Sequence, residues 1–276
     1  MPDVNYPEVA IGDRSVAQLG FGAMRLSGAA PFGDAPDRDT AIAVCRAAVE
    51  AGCQLVDTAD AYALGLNEQL VAEALSPYAD DVLIATKAGQ ARPGPRWVPL
   101  GRPDYLIQQA HVSRLRLRLD VIPLFQLHRV DPAVPLADQA GALKSLLDDG
   151  VVAAVGLSQV SVTQLEEFRA IVPIASVQNK YSISDRSDED VLEHCEREGI
   201  AFLPWRPLEV SDALAPTVQA IADRLGATPS QVALAWLLQR SPVMLPIPGT
   251  ASSDHLAENV AARDLVLDYQ ALTALS

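Results

Sequence analysis

The chain has 276 residues, 49% of them hydrophobic and 20% charged, which supplies the core of one large domain or two small ones. Its formal net charge of −14 argues against a nucleic-acid backbone or an anionic membrane as partner, because both repel an acidic surface. No apolar run approaches the roughly 18 residues of a membrane helix. Three scattered cysteines, Cys45, Cys53 and Cys195, make no framework, and the opening Met1-Pro2-Asp3-Val4-Asn5 lacks a signal-peptide pattern. A cytoplasmic location is the expectation.

In chain order, residues 9–18 turn at Gly12-Asp13 and read as a small hairpin. Eight short apolar runs follow, at 19–22, 53–57, 81–87, 121–128, 151–157, 174–178, 200–205 and 243–247. Runs apolar on both faces are what parallel strands buried under helices look like. Amphipathic segments lie between them. Ile42, Cys45 and Val49 share a helical face, as do Leu70, Val71 and Ala74, then Leu136, Ala140, Leu143 and Leu147. Gly52, Gly150, Gly199 and Gly226 each follow such a segment, where a left-handed residue ends a helix. Thr228-Pro229-Ser230-Gln231 reads as a capping box with proline at the first helical position, opening a buried helix over 232–238.

Eight strands, each followed by a helix, predict a single α/β domain over 1–276: a (β/α)8 TIM barrel whose bottom is closed by the N-terminal hairpin. An open doubly wound sheet is disfavoured because the first strand-to-helix turn lacks G-x-G-x-x-G. Barrel chemistry sits at the C-terminal ends of strands. Those ends carry Asp57, Lys87 and His128, with Tyr62 just beyond Asp57. Taken singly, each has a plain structural reading: a turn aspartate, a surface lysine, a satisfied histidine. Together they suit proton delivery to an oxygen as hydride arrives at carbon. A lysine ammonium is expected to lower the tyrosine pKa, a carboxylate to hold the lysine charged, and a histidine to orient a carbonyl.

Asp57-Thr58-Ala59-Asp60-Ala61-Tyr62 with Asn67-Glu68, Thr86-Lys87 and Leu127-His128 resembles the active-site signature of the aldo-keto reductases. The resemblance runs from the first strand to about Ala262. It implies an enzyme that reduces an aldehyde or ketone with NADPH, the tetrad Asp57, Tyr62, Lys87 and His128 being catalytic. Ser158, Gln159 and Gln178 fall where the family holds the nicotinamide carboxamide, and Trp205, followed by Arg206, Pro207 and Leu208, where an aromatic stacks on the ring. Ile247, Gly249, Thr250, Ser252, His255, Glu258 and Asn259 match its phosphate and adenine site, and a helix N-terminus is a natural anion site.

Three departures stand out. Gln159 replaces a common asparagine, Ala63 a common glycine, and the stretch 249–255 lacks the Lys or Arg that meets a 2′-phosphate, so NADH is an open alternative. The scaffold segments Leu19 to Met24, Pro31-Phe32-Gly33 and Ala235 to Pro242 resemble the pyridoxal reductase branch. Met24, Phe32 and Trp97 are the expected substrate-pocket side chains. Two other readings compete: a nicotinamide-binding regulatory subunit, and a metal-dependent barrel hydrolase, which is disfavoured because the four histidines make no metal-spaced set. No metal is expected, the partner is a small carbonyl compound, and monomer and homo-oligomer stay equally open.

Overall fold

The computed structural model describes residues 7–28 and 33–275. Strands β1 (Glu8–Ile11) and β2 (Arg14–Ala17) pair antiparallel, with Val9 opposite Val16. Seven parallel strands follow in sequential neighbour order: β3 (Phe21–Gly22), β4 (Leu55–Asp57), β5 (Leu83–Ala88), β8 (Leu124–Leu127), β9 (Val155–Ser158), β10 (Ser176–Gln178) and β11 (Ala201–Phe202). A small hairpin, β6 (Gln90–Ala91) with β7 (Val98–Pro99), rises from the loop after β5.

The expected eighth strand is a closing segment rather than a regular strand. Pro242, Pro246 and Pro248 have no N–H to donate, so a continuous ladder cannot form. Its remaining groups still join both edges. Leu245 N–H donates to Phe202 O at 2.8 Å and Phe202 N–H to Val243 O at 2.8 Å, on the β11 side. On the β3 side Gly20 N–H donates to Pro246 O at 3.0 Å and Gly22 N–H to Pro248 O at 3.2 Å. That second seam needs bare backbone, since a Cβ on Gly22 would stand 2.8 Å from Ile247 O. The sheet is thereby a closed ring.

Helices α1 (Arg38–Glu50), α2 (Leu66–Leu75), α3 (Pro103–Leu117), α4 (Leu136–Asp148), α5 (Val162–Arg169), α6 (Glu189–Glu198), α7 (Ala215–Leu225), α8 (Pro229–Arg240) and α9 (Ser253–Ala261) surround it, and α10 (Tyr269–Ala274) ends the described chain. The Thr228–Gln231 capping box forms in full, and Val232 to Leu237 are buried. Gly199 and Gly226 close α6 and α7 with φ of 66° and 63°, the left-handed conformation their lack of a side chain permits.

Inside the ring, Val9, Ile11 and Val16 of the hairpin pack against Leu55, Leu83, Leu124, Leu203 and Leu245. Each such side chain removed from water contributes about 1.5–3 kcal/mol. The hairpin is therefore a plug at the N-terminal end, and chemistry is left to the opposite rim. Burial pushes the Cys45 and Cys195 thiols up to about 12, which makes them inert packing groups. Among the described residues no helix is long and apolar enough to cross a membrane.

Candidate active site

Side chains alternate along a strand, so residues two apart face the same way. In β8 and its exit, Gln126 and His128 therefore share the inward face. Asp57 ends β4, Lys87 lies near the end of β5, and Ser158 and Gln178 end β9 and β10. These ends meet at one rim. Lys87 Nζ donates to Asp57 Oδ2 at 2.6 Å and to Thr58 O at 2.8 Å, and it reaches the Tyr62 hydroxyl at 3.4 Å. Asp57 Oδ1 accepts from Gln178 Nε2 at 2.9 Å and Gln126 Nε2 at 3.2 Å. The carboxylate is thus held by one cation and two amides, and the lysine side chain is fully buried.

Burial alone would pull the Lys87 ammonium down, but the Asp57 carboxylate and Tyr62 outweigh it and its pKa is raised. The expectation for Tyr62 is corrected. Burial raises its pKa and the Lys87 charge only partly offsets that, because the ammonium is spent mainly on Asp57 and Thr58. The hydroxyl therefore stays protonated at neutral pH. Burial, followed by the charges of Lys87 and Arg129, holds His128 well below the usual imidazole range, so its ring is neutral. His128 Nδ1 is enclosed without a hydrogen-bond partner among the described residues, which leaves Nε2 as the nitrogen able to meet a bound molecule.

The loop that presents Tyr62 is held from below. Thr58 Oγ1 donates to Asn67 Oδ1 at 2.6 Å, and Asn67 Nδ2 donates to Ala23 O at 2.8 Å and Ser27 Oγ at 2.5 Å. Thr86 Oγ1 donates to Glu68 Oε1 at 2.6 Å. Asn67 and Glu68 are thus fasteners of the loop. Directly after Tyr62 the chain turns left-handed at Ala63 (φ 47°), Leu64 (φ 54°) and Gly65 (φ 89°). Trp97, on the β6–β7 hairpin, stands edge-on to Tyr62 and His128 with centroids 6.3 and 5.8 Å away. Met24 is half exposed on the 3-10 turn Ala23–Ser27, and Phe32 lies outside the described residues.

Next along the rim, Ser158 Oγ donates to Gln178 O at 2.8 Å and accepts from Arg129 Nη1 at 2.9 Å. Gln159, at φ 57°, does not face the rim freely. Its Oε1 accepts from Trp205 Nε1 at 3.0 Å and its Nε2 donates to Asp188 at 3.1 Å. The extra methylene over asparagine lets the amide reach the indole and fix the half-buried Trp205 ring. Arg206 is exposed and pairs with Glu209 at 3.7 Å, Pro207 is buried, and Leu208 packs against the outer core.

Beyond the β3 seam, Ile247 and Thr250 are buried and Gly249 lies against Gly22. Ser252 caps α9 by accepting from His255 N–H at 3.4 Å, so the preceding amides of the first turn have no intrahelical acceptor. Glu258 is already bonded to the Thr228 hydroxyl, Asn259 is buried, and His255 is exposed. The stem of Arg25 lies close by, its Cγ 3.4 Å from where a Cβ on Gly249 would stand. Local sequence around 249–255 could not reveal that neighbour. Gln126 had a signal, being a polar residue in an apolar strand two places before His128. Among the described residues no group of three or more potential metal ligands assembles.

The chain also matches a known family along nearly its whole length. The aldo/keto reductase family model matches residues 18–276. The chain belongs to the aldo/keto reductase family. An uncharacterised oxidoreductase of Schizosaccharomyces pombe is 43% identical over 97% of this chain and 88% of its own length. Pyridoxine 4-dehydrogenase of Escherichia coli is 41% identical over 96% of both chains. Among solved structures, the thermostable aldo-keto reductase Tm1743, in complex with the inhibitor epalrestat, superposes with a TM-score of 0.87 at 27% identity, covering 97% of this chain and 98% of that one. A Klebsiella pneumoniae aldo-keto reductase in complex with NADPH gives a TM-score of 0.83 at 26% identity over 98% and 94% of the two chains. This family member is an oxidoreductase, and the barrel read from its sequence is the family fold.

Proposed function

We propose that this aldo/keto reductase reduces an aldehyde or ketone to the alcohol, with Tyr62 as the general acid and pyridoxal as a substrate. The observation that carries the reading is the Tyr62 hydroxyl beside the buried Lys87–Asp57 pair, 3.4 Å from Nζ. A tyrosine that stays protonated at neutral pH has a proton to give, and the adjacent ammonium stabilises the phenolate left behind. Asp57 keeps that ammonium charged. The neutral His128 donates from Nε2 to the substrate oxygen and orients it, while Trp97 walls the pocket beside both rings.

The residues fit a dinucleotide. The open first-turn amides of α9 suit a phosphate. Ser158, Gln178 and Trp205 would hold the nicotinamide end, and residues 247–259 the phosphate end. When bound, the reduced nicotinamide supplies the hydride. Arg25 beside Gly249 is the cation that favours NADPH over NADH. Pyridoxal is supported by the pyridoxine dehydrogenase relative, which covers nearly the full chain.

The test follows absorbance at 340 nm with purified protein, pyridoxal, and NADPH or NADH in parallel. The expected result is oxidation of NADPH faster than NADH. Turnover of other aldehydes with none on pyridoxal would remove pyridoxal from the reading. Tight cofactor binding with no turnover on any carbonyl would replace the reductase by a regulatory subunit.

A further inference from the structure

One cation at the rim holds no anion in the reading above. Arg129 follows His128 directly and is half-buried. Its Nη1 donates to His128 O at 2.6 Å and to Ser158 Oγ at 2.9 Å, both neutral dipoles. Its guanidinium lies 5.8 Å from the Trp205 ring centroid. No carboxylate of the described residues pairs with it, and Nε and Nη2 have no protein partner among them. This is unusual in a chain with 35 acidic against 21 basic side chains. A partly desolvated guanidinium without a counter-charge costs free energy, and that cost is recovered when an anion arrives.

The phosphate end of the cofactor is not that anion. Its cradle lies at Gly249 and α9, beside β3, whereas Arg129 leaves β8, three strands around the ring. The Ser158 hydroxyl is the group expected to take the carboxamide, so cofactor binding would compete for it and release Nη1 toward the substrate. A second cation, Arg92, stacks 3.8 Å over Trp97 on the facing wall. Two guanidinium groups thus border the mouth.

We propose that Arg129 is a specificity-determining residue that selects carbonyl substrates carrying an anionic oxygen, a carboxylate or phenolate, on the same small framework as the carbonyl. This rests on the reductase reading with Tyr62 at its centre. The substrate oxyanion takes the free face of the guanidinium while its carbonyl oxygen meets Tyr62 and His128. A neutral carbonyl of the same shape leaves Arg129 uncompensated, so the selection acts through substrate binding.

The experiment compares 3-carboxybenzaldehyde with its methyl ester in the wild type, Arg129→Gln and Arg129→Lys, reading kcat/KM with NADPH. The acid-to-ester ratio is expected to fall about tenfold or more in Arg129→Gln and to be partly kept in Arg129→Lys. NADPH affinity, read from quenching of tryptophan fluorescence, is expected to hold or tighten in Arg129→Gln because a competitor for Ser158 is gone. An unchanged ratio overturns the inference, and so does a tenfold loss of NADPH affinity, which would assign Arg129 to the cofactor. A measurement without variants runs beside it: benzoate should inhibit reduction of the ester at least tenfold more strongly than benzamide, and equal inhibition refutes the anion site. Wild-type turnover of the ester with no charge preference fells this inference alone. No turnover of acid, ester or pyridoxal fells the reductase reading with it.

Discussion

Lys87→Met tests the heart of the rim without any substrate. The wild-type ion pair is 2.6 Å long, with the lysine side chain fully buried and the aspartate 4% exposed. Removing one partner of such a pair typically costs about 3–5 kcal/mol, because the other charge is left in a poorly solvating site. Here the penalty is softened: Gln178 and Gln126 still donate to Asp57 Oδ1, each bond to the charged acceptor contributing about 1.5–3 kcal/mol. The expected loss is about 3 kcal/mol at pH 8 by urea denaturation. Adding Asp57→Asn removes the stranded charge, and the double variant should be more stable than Lys87→Met alone at pH 8. A cost below about 1 kcal/mol, or a double variant no better than the single one, would refute the argument that this pair is electrostatically coupled.

Three further outcomes follow from particular residues. Ala63 sits at φ 47°, where a side chain costs about 1 kcal/mol, so Ala63→Gly should raise the melting temperature by roughly 2 °C; a fall would show that the backbone is not strained there. Burial, aided by Glu68, pushes the buried Asp60 carboxyl up to about 7, while its Oδ1 has no partner among the described residues. A raised carboxyl favours the fold below the unfolded value near 3.9 and loses that contribution as pH climbs toward 7. Asp60→Asn should therefore gain on wild type over pH 4 to 7, by a few kcal/mol, and parallel pH-stability curves would contradict the burial argument. Arg25→Ala should weaken NADPH binding about threefold to tenfold, more at low salt than high; unchanged fluorescence titrations would remove Arg25 from the phosphate site.

The fold was legible because hydrophobic runs and helical faces alternate with so few interruptions, and because Thr228, Gly199 and Gly226 carry unambiguous end signals. The eighth run reads as a strand from sequence, whereas the structure has it as irregular backbone that joins both edges. Pro246 and Pro248 remove two donors and leave the seam to Gly20 and Gly22. At the site, the strand ends carrying Asp57, Lys87 and His128 were visible from order alone. What sequence could not provide was contact. Arg129 reaching Ser158, Gln159 reaching Trp205, and Arg25 lying on Gly249 join residues far apart in the chain. The direction of the Tyr62 shift was misread for the same reason: local logic counts the lysine charge, whereas the structure adds burial and shows that charge already taken by Asp57 and Thr58.

The central claim is that Tyr62 delivers the proton, and Tyr62→Phe tests it most directly. The variant loses one buried hydroxyl and should fold and bind NADPH with wild-type affinity by fluorescence titration. Its kcat/KM for pyridoxal, followed at 340 nm, should drop by about 100-fold to 10,000-fold. Turnover within a few-fold of wild type, with cofactor bound, would contradict the account and move proton delivery to another group.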